Sequence, residues 1–213
     1  MGLCNSGKKS MQQLKLISRY GFRGSIKLLA DILNTKLFFS SCRIIRRPYY
    51  IRGKKFIKFG KNFTTGVGMR LDAFADNKTK CLIEFGDNVQ LNDYVHIAAV
   101  NSVKVGNNVL IASKVFITDH NHGNYGTITS LQSHPKIPPA DRPLFHNAVI
   151  IEDNVWIGEF VCIMPGVIVQ EGSVIGAMSV VTKNIPPYSI AVGSPARVIK
   201  KFDFETNSWQ VVN

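Results

Sequence analysis

The sequence predicts a solenoid of short β-strands, preceded by a helical segment and interrupted by one long loop. Between Ala148 and Pro186 an aliphatic residue recurs at every sixth position: Ile151, Ile157, Ile163, Val169, Ile175 and Val181. A second series, Val155, Val161, Val167, Ser173, Ser179 and Ile185, keeps the same period. A period of six matches neither the 3.6 of a helix nor the 2 of a simple strand. Short walls joined by tight turns, each wall turning one aliphatic inward, account for it.

Residues 1–50 form the first segment. Leu14, Ile17, Ile26, Leu29, Ala30, Leu33 and Leu37 have helical spacing, interleaved with Lys15, Arg19, Arg23, Lys27, Lys36, Arg43, Arg46 and Arg47. No stretch reaches the roughly 20 apolar residues of a membrane-spanning helix. Two readings stay open, and both can hold: a helical cap that closes one end of the solenoid, and a basic amphipathic segment that touches an anionic membrane. Pro48 ends the segment.

The solenoid occupies 51–187. Ile51, Ile57 and Phe63 set the phase, and 71–80 reads as a turn or short loop. Phe85, Leu91, Ile97 and Val103 hold the period, which slips by two and resumes at Val105, Ile111 and Ile117. The repeat then vanishes over 118–147, where Gly123, Gly126, Pro135, Pro138, Pro139 and Pro143 are too many breakers for wall strands. A loop this long within a compact fold is usually functional or disordered. Residues 188–213 read as a C-terminal tail.

The 26 Lys+Arg against 14 Asp+Glu give a net charge of +12, which suits an anionic partner: nucleic acid, a membrane surface or a phosphorylated ligand. No nucleic-acid module is recognisable, so none of that class is expected as a partner. Cys4, Cys42, Cys81 and Cys162 lack metal-site spacing, and reduced thiols in a cytosol are the expectation. Met1–Ser6 satisfies a loose myristoylation pattern, and Asn62 and Asn77 open glycosylation sequons that mean nothing in a cytosol.

Several segments together resemble the hexapeptide-repeat acyltransferases. They are Val155-Trp156-Ile157-Gly158, Pro165-Gly166-Val167, Ser173-Val174-Ile175-Gly176-Ala177, Val181-Thr182-Lys183-Asn184-Ile185-Pro186, Ala191-Val192-Gly193-Ser194-Pro195-Ala196-Arg197 and Thr118-Asp119-His120-Asn121-His122-Gly123. The likeness covers roughly residues 50–202. It is to the galactoside, maltose and nodulation-factor O-acetyltransferase branch, and within it to the O-antigen and capsule-modifying members. The resemblance implies a left-handed parallel β-helix, a homotrimer with active sites between subunits, acetyl coenzyme A as cosubstrate, and a saccharide acceptor in surface polysaccharide biosynthesis. No metal is expected. The location implied is cytoplasmic, with the N-terminal segment able to hold the enzyme at the inner membrane face.

Acyl transfer to a hydroxyl needs a base near neutral pKa, which histidine supplies. His120 aligns with the family's catalytic histidine, and His122 is the rival two positions on. Asn92, Asp119, His122 and Arg142 are candidate acceptor contacts, and Gln132 and Pro143 share that loop. Asn92 is equally readable as a turn residue. Asp119 is a candidate to orient an imidazole, although adjacent side chains seldom face each other. For the coenzyme, the resemblance points to Trp156, the backbone amide at Glu159 as oxyanion donor, Gly176 and Ala177 beside pantetheine, and Thr182, Lys183, Arg197, Lys200 and Lys201 near the phosphates and adenine. Two further readings compete. One is a gamma-type carbonic anhydrase on the same prism, with zinc ligands drawn from His96, His120, His122, His134 and His146. The other is a non-enzymatic basic scaffold.

Overall fold

In the computed structural model the chain winds as a left-handed parallel β-helix with three walls. The structure describes residues 4–74, 82–126, 128 and 131–212, and no side chains for 4–17 and 19. The myristoylation pattern at Met1, the Asn77 sequon, Cys81 and the side chains of Leu14, Lys15, Ile17 and Arg19 lie outside the described residues.

The first wall stacks Tyr50–Arg52, Arg70–Ala73, His96–Ala99, Phe116–Thr118, Cys162–Ile163 and Val180–Val181. The second stacks Ile57–Lys58, Ile83–Phe85, Val103–Val105, Val149–Ile151 and Ile168–Val169. The third runs from Thr64–Thr65 through Gln90–Leu91, Leu110–Ile111, Trp156–Ile157 and Val174–Ile175 to Ser189–Gly193. Aliphatic residues meet their equals one coil on: Leu71, Ile97, Ile117, Ile163 and Val181 form one such column. All five are fully buried. Each buried Ile or Leu contributes roughly 1.5–3 kcal/mol relative to exposure.

Each wall turns two residues inward rather than the single one expected. Val155, Val161, Val167, Ser173, Ser179 and Ile185 are as buried as the first series. The two serines break the aliphatic rule because they serve the backbone. Ser173 Oγ donates to Pro186 O and accepts from Ser189 N, and Ser179 Oγ donates to Gly176 O and accepts from Gly193 N.

Corners need left-handed backbone, which asparagine tolerates best after glycine. Between the second and third walls, Asn62, Asn88, Asn108 and Asn154 take it, with φ between 56° and 60°. Their amides form a ladder at 3.0 to 3.3 Å. Between the third and first walls the same conformation falls on Tyr94, Lys114, Phe160 and Met178. Such residues cost about 1–2 kcal/mol each there.

The N-terminal helix spans Cys4–Phe38, with Gly21 at φ 66° and ψ 174° separating two helical stretches. It ends at Phe38, well before Pro48. Its prism-facing side is tied down by Asp31, which bonds Arg47 Nε at 2.7 Å, and by Thr35 Oγ1, which accepts from Ile45 N at 2.8 Å. Phe39, Phe59, Phe63 and Phe85 then close the first coils with ring centroids 4.7 to 5.7 Å apart. Along the helix, Phe22, Ile26, Leu29, Leu33 and Leu37 are exposed. At the far end, the segment read as a tail pairs as antiparallel strands, Ala196–Asp203 and Ser208–Val211, which extend the third wall.

Ser173→Ala removes a hydrogen bond from each of two backbone groups at a buried site. Denaturant unfolding should show a loss of about 1–3 kcal/mol.

Candidate active site

The period explains where the site lies. In the regular part, Ile151 pairs with Val169, so a coil takes 18 residues. Earlier coils are longer: equivalent residues lie 26 apart at Lys58 and Glu84, 20 apart at Asp87 and Asn107, and 46 apart at Asn107 and Asp153. Stacked walls cannot absorb extra residues, so these collect at corners. Two of the enlarged corners adjoin, and His120 stands between them.

The larger one is the excursion 119–147. It leaves the first wall after Thr118 and begins as a two-stranded antiparallel ladder, His120–His122 against Leu144–His146. The smaller is the two-residue slip before Val105, which shapes the turn Val100-Asn101-Ser102. That turn presents three backbone N–H groups to one carboxylate. Asp119 Oδ2 accepts from Asn101 N and Ser102 N at 2.7 Å, and Asp119 Oδ1 accepts from Val100 N at 3.0 Å. Asp119 is fully buried.

Adjacent residues do face each other here. His120 Nδ1 lies 2.9 Å from Asp119 Oδ1, and its side chain is 11 % exposed. Burial is the largest single influence on Asp119 and opposes its ionisation, but His120 and the three backbone donors together outweigh it and hold the carboxyl below its usual range. An ionised carboxylate only accepts. Nδ1 of His120 therefore carries a proton, which in the neutral ring leaves the lone pair on Nε2. This is the arrangement a general base needs.

Asp119 was expected among the acceptor contacts, and its complete burial removes it from them. It stands behind His120, whose ring it holds at 2.9 Å. Arg142 is also diverted. Its Nε donates to Ile137 O, Nη1 to Tyr125 Oη and Nη2 to Pro135 O, so the guanidinium holds the loop to itself. Tyr125 Oη continues that chain to His122 O at 2.6 Å. His122 is exposed, with Nδ1 3.2 Å from Pro139 O and its ring 6.5 Å from that of His120. It stays beside the site on a loop that is bonded within itself.

The remaining residues fall on other edges. Asn92 lies at the corner that opens the first wall, opposite the end that His120 closes, and its Oδ1 accepts from Gln90 Nε2 at 3.0 Å. Trp156 is half exposed on the third wall, flanked by Leu110 and Val174. Glu159 and Ala177 follow at the corner with Tyr94, Phe160 and Met178, all exposed. A Cβ on Gly176 would lie 2.6 Å from Val192, so the backbone there is closely packed. Arg197 and Lys200 lie on the added strand Ala196–Asp203, beside that wall. Thr182 and Lys183 are exposed where the first wall ends. Within one chain, then, the histidine edge and the tryptophan edge are separated by a wall. Among the described residues, no three of His, Cys, Asp and Glu gather as a metal site.

The cradle Val100-Asn101-Ser102 was not foreseen. Its signal was the two-residue slip in the period, which marks an enlarged turn.

Comparison with known proteins agrees with the architecture. Residues 148–183 match the model for the bacterial transferase hexapeptide, six repeats. A protein of Escherichia coli (strain K12), WbbJ, named for lipopolysaccharide biosynthesis O-acetyl transfer, is 52% identical over 197 residues, covering 92% of this chain and 98% of its own. The crystal structure of a maltose O-acetyltransferase from Clostridium difficile 630 is 30% identical, with a TM-score of 0.55 over 70% of this chain and 72% of that one. AntD, an N-acyltransferase from Bacillus cereus, shares the fold at 22% identity, with a TM-score of 0.63 over 78% of this chain and 83% of its own.

The depressed Asp119 carboxyl makes a signed prediction. Its stabilisation is present above the ordinary value of 3.8 and is lost as pH falls through the lower folded value. Thermal midpoints measured from pH 7 downward should fall more steeply on the acid side in the native protein than in Asp119→Asn, which should be less stable at pH 7.

Proposed function

The chain belongs to the hexapeptide-repeat acyltransferases, and on that premise we propose how it moves an acetyl group from acetyl coenzyme A to a sugar hydroxyl of a surface polysaccharide precursor. The names of the Escherichia coli and Clostridium difficile relatives both support a sugar acceptor. The observation that carries the mechanism is the Asp119–His120 pair at 2.9 Å, held by three backbone donors.

His120 Nε2 takes the proton of the sugar hydroxyl while its oxygen attacks the thioester carbonyl carbon. Asp119 stabilises the imidazolium that forms and keeps the ring in place. The backbone N–H at Glu159 meets the developing oxyanion. As the C–S bond breaks, the imidazolium returns the proton to the departing thiolate. Trp156 and Ala177 flank the pantetheine arm, while Thr182, Lys183, Arg197 and Lys200 hold the phosphate end.

Donor and base come together between copies of the chain. His120 and Trp156 stand on different edges of the prism, so the site is completed where the histidine edge of one copy meets the tryptophan edge of the next. Phe160 and Met178 support this reading, since they accept left-handed backbone while exposing apolar side chains. Burial against a neighbour offsets that strain. A closed ring of three such contacts is a homotrimer. Asn92, at the same edge, then approaches an acceptor from the neighbouring copy.

The N-terminal helix places the enzyme on the inner face of a membrane. Of the 26 basic residues, 16 precede Asp72, against a single acid, Asp31. The exposed row Phe22, Ile26, Leu29, Leu33 and Leu37 adds an apolar face to that charge. No helix among the described residues is long and apolar enough to cross a membrane.

His120→Ala should lower kcat for coenzyme release from acetyl coenzyme A by about 10²–10⁴-fold and leave coenzyme binding intact; unchanged turnover removes His120 from the mechanism. Lys183→Ala and Arg197→Ala should instead raise the Kd for the coenzyme, and normal binding by both variants defeats the phosphate assignment. In flotation with phosphatidylglycerol vesicles, the native protein should rise with the lipid. Leu29→Asp/Leu33→Asp should stay behind, whereas equal recovery of the two would count against membrane contact.

A further inference from the structure

The first wall carries a second polar cluster, nearer the N-terminal end. Asp72 stands on the strand Arg70–Ala73 with 3 % of its side chain exposed. A buried carboxylate costs several kcal/mol unless it is paired. Asp72 has three partners: Arg70 Nε donates to Oδ2 at 2.7 Å, Arg52 Nε lies 3.1 Å from Oδ1 as an ion pair, and His96 Nε2 lies 3.1 Å from Oδ2. One guanidinium balances one carboxylate, so the second is in excess. Both approach Asp72 through Nε, their terminal amino groups make no hydrogen bond to a described residue, and the Arg52 guanidinium lies over the Phe74 ring at 5.9 Å from its centroid. Two guanidinium forks anchored on one carboxylate, with N–H groups that make no hydrogen bond among the described residues, suit an anion receptor.

A cavity of about 790 Å³ opens against these arginines, lined also by His96, Tyr50, Tyr94 and Phe38. Tyr50 and Tyr94 are 62% and 57% exposed, which offers ring faces to a flat or apolar group. Tyr94 lies where a side chain on Gly68 would stand, so the absent Cβ lets the ring sit there. Phe38 is also the end of the helix, next to exposed Leu37, so the apolar helix face runs to the cavity's mouth.

We propose that this cavity binds the diphosphate of a carrier-linked saccharide, with Arg52 and Arg70 on the phosphate oxygens and the two tyrosines beside the sugar or the carrier. The inference rests on the sugar-acceptor reading above and deepens it. The cavity shares a wall with the base: Arg70, His96 and Phe116 are register neighbours, and the His96 ring lies 5.1 Å from that of Phe116. Phe116 is four residues from His120, a separation of at most about 14 Å. Coenzyme A also carries a diphosphate, but Lys183, Arg197 and Lys200 lie on later coils and on the added strand. Two carriers share the chemistry, a nucleoside diphosphate and a polyprenyl diphosphate.

Calorimetric titration with inorganic pyrophosphate, UDP-glucose and geranyl pyrophosphate, without acetyl coenzyme A, tests the assignment. At least one is expected to bind, with affinity reduced about tenfold or more in Arg52→Gln and with no displacement by coenzyme A. Tighter binding of UDP-glucose than of geranyl pyrophosphate identifies a nucleotide carrier, and the reverse a polyprenyl one. The Arg52 side chain is 61% exposed and supplies one of the three contacts to Asp72, so the variant should fold. If its circular dichroism is altered, Arg52→Lys keeps the charge but removes the fork, and the same direction of change is expected. Failure of all three ligands to bind, equal affinity in a folded variant, or displacement by coenzyme A overturns the proposal. Intact diphosphate binding without any acetyl transfer overturns only the catalytic reading.

Discussion

Every coil must set its inward aliphatics directly over those of the coil before. Leu71, Ile97, Ile117, Ile163 and Val181 show the rule: whatever the chain does between them, they return to one column. Packing at crystalline density leaves no freedom to shift a wall by one residue, because a period-two strand would then turn its polar side inward. All variation is pushed to the corners. The enlarged turn at Val100-Asn101-Ser102 and the excursion 119–147 both sit at the corner where the first wall ends, in neighbouring coils. The carboxylate cradle and the imidazole it holds meet there for that reason.

This rule also governs what could be read from the sequence. The prism was legible because its period survives in unaligned residues, and the long loop was legible as the place where the period stops. The slip before Val105 was equally visible, but nothing in a spacing shows that a turn aims three N–H groups at Asp119. The Asp119–His120 contact runs against the expectation that neighbours diverge; the chain changes course after Thr118, leaving the wall for the antiparallel ladder, and only the fold shows that. Arg142 reads as an acceptor contact in a functional loop, yet its partners are carbonyls at Ile137 and Pro135, whose orientation depends on the loop's own path. The final strands lie within the segment that reads as a tail, because the alternating burial along Ala196–Asp203 is a period of two, not six.

Of the two histidines at the loop's base, one is fixed by the prism and the other by the loop. His120 is held through Asp119 to the turn at 100–102, which belongs to the preceding coil and cannot move without disturbing the column beneath it. His122 rests on Pro139 O, part of the excursion itself. A base gains most when its position is set before substrate arrives, since misplacement by an ångström costs orders of magnitude in rate. Rigidity thus favours His120 as the base and leaves His122 suited to following an acceptor as the loop adjusts.

Charge is divided along the prism as sharply as function is divided around it. Residues before Asp72 hold 16 of the 26 cations and one of the 14 acids, so the remaining chain carries more acids than bases. A field of that shape draws an anionic ligand to the N-terminal coils, and the lysines and arginine of the last coils remain a separate, local site. Two anionic substrates that competed for one basic surface would hinder each other. On the proposed assignments, with the cavity at Arg52 and Arg70 on early coils and Lys183 and Arg197 on late ones, each substrate's phosphate has its own end of the solenoid, and the coil that carries His120 lies between them.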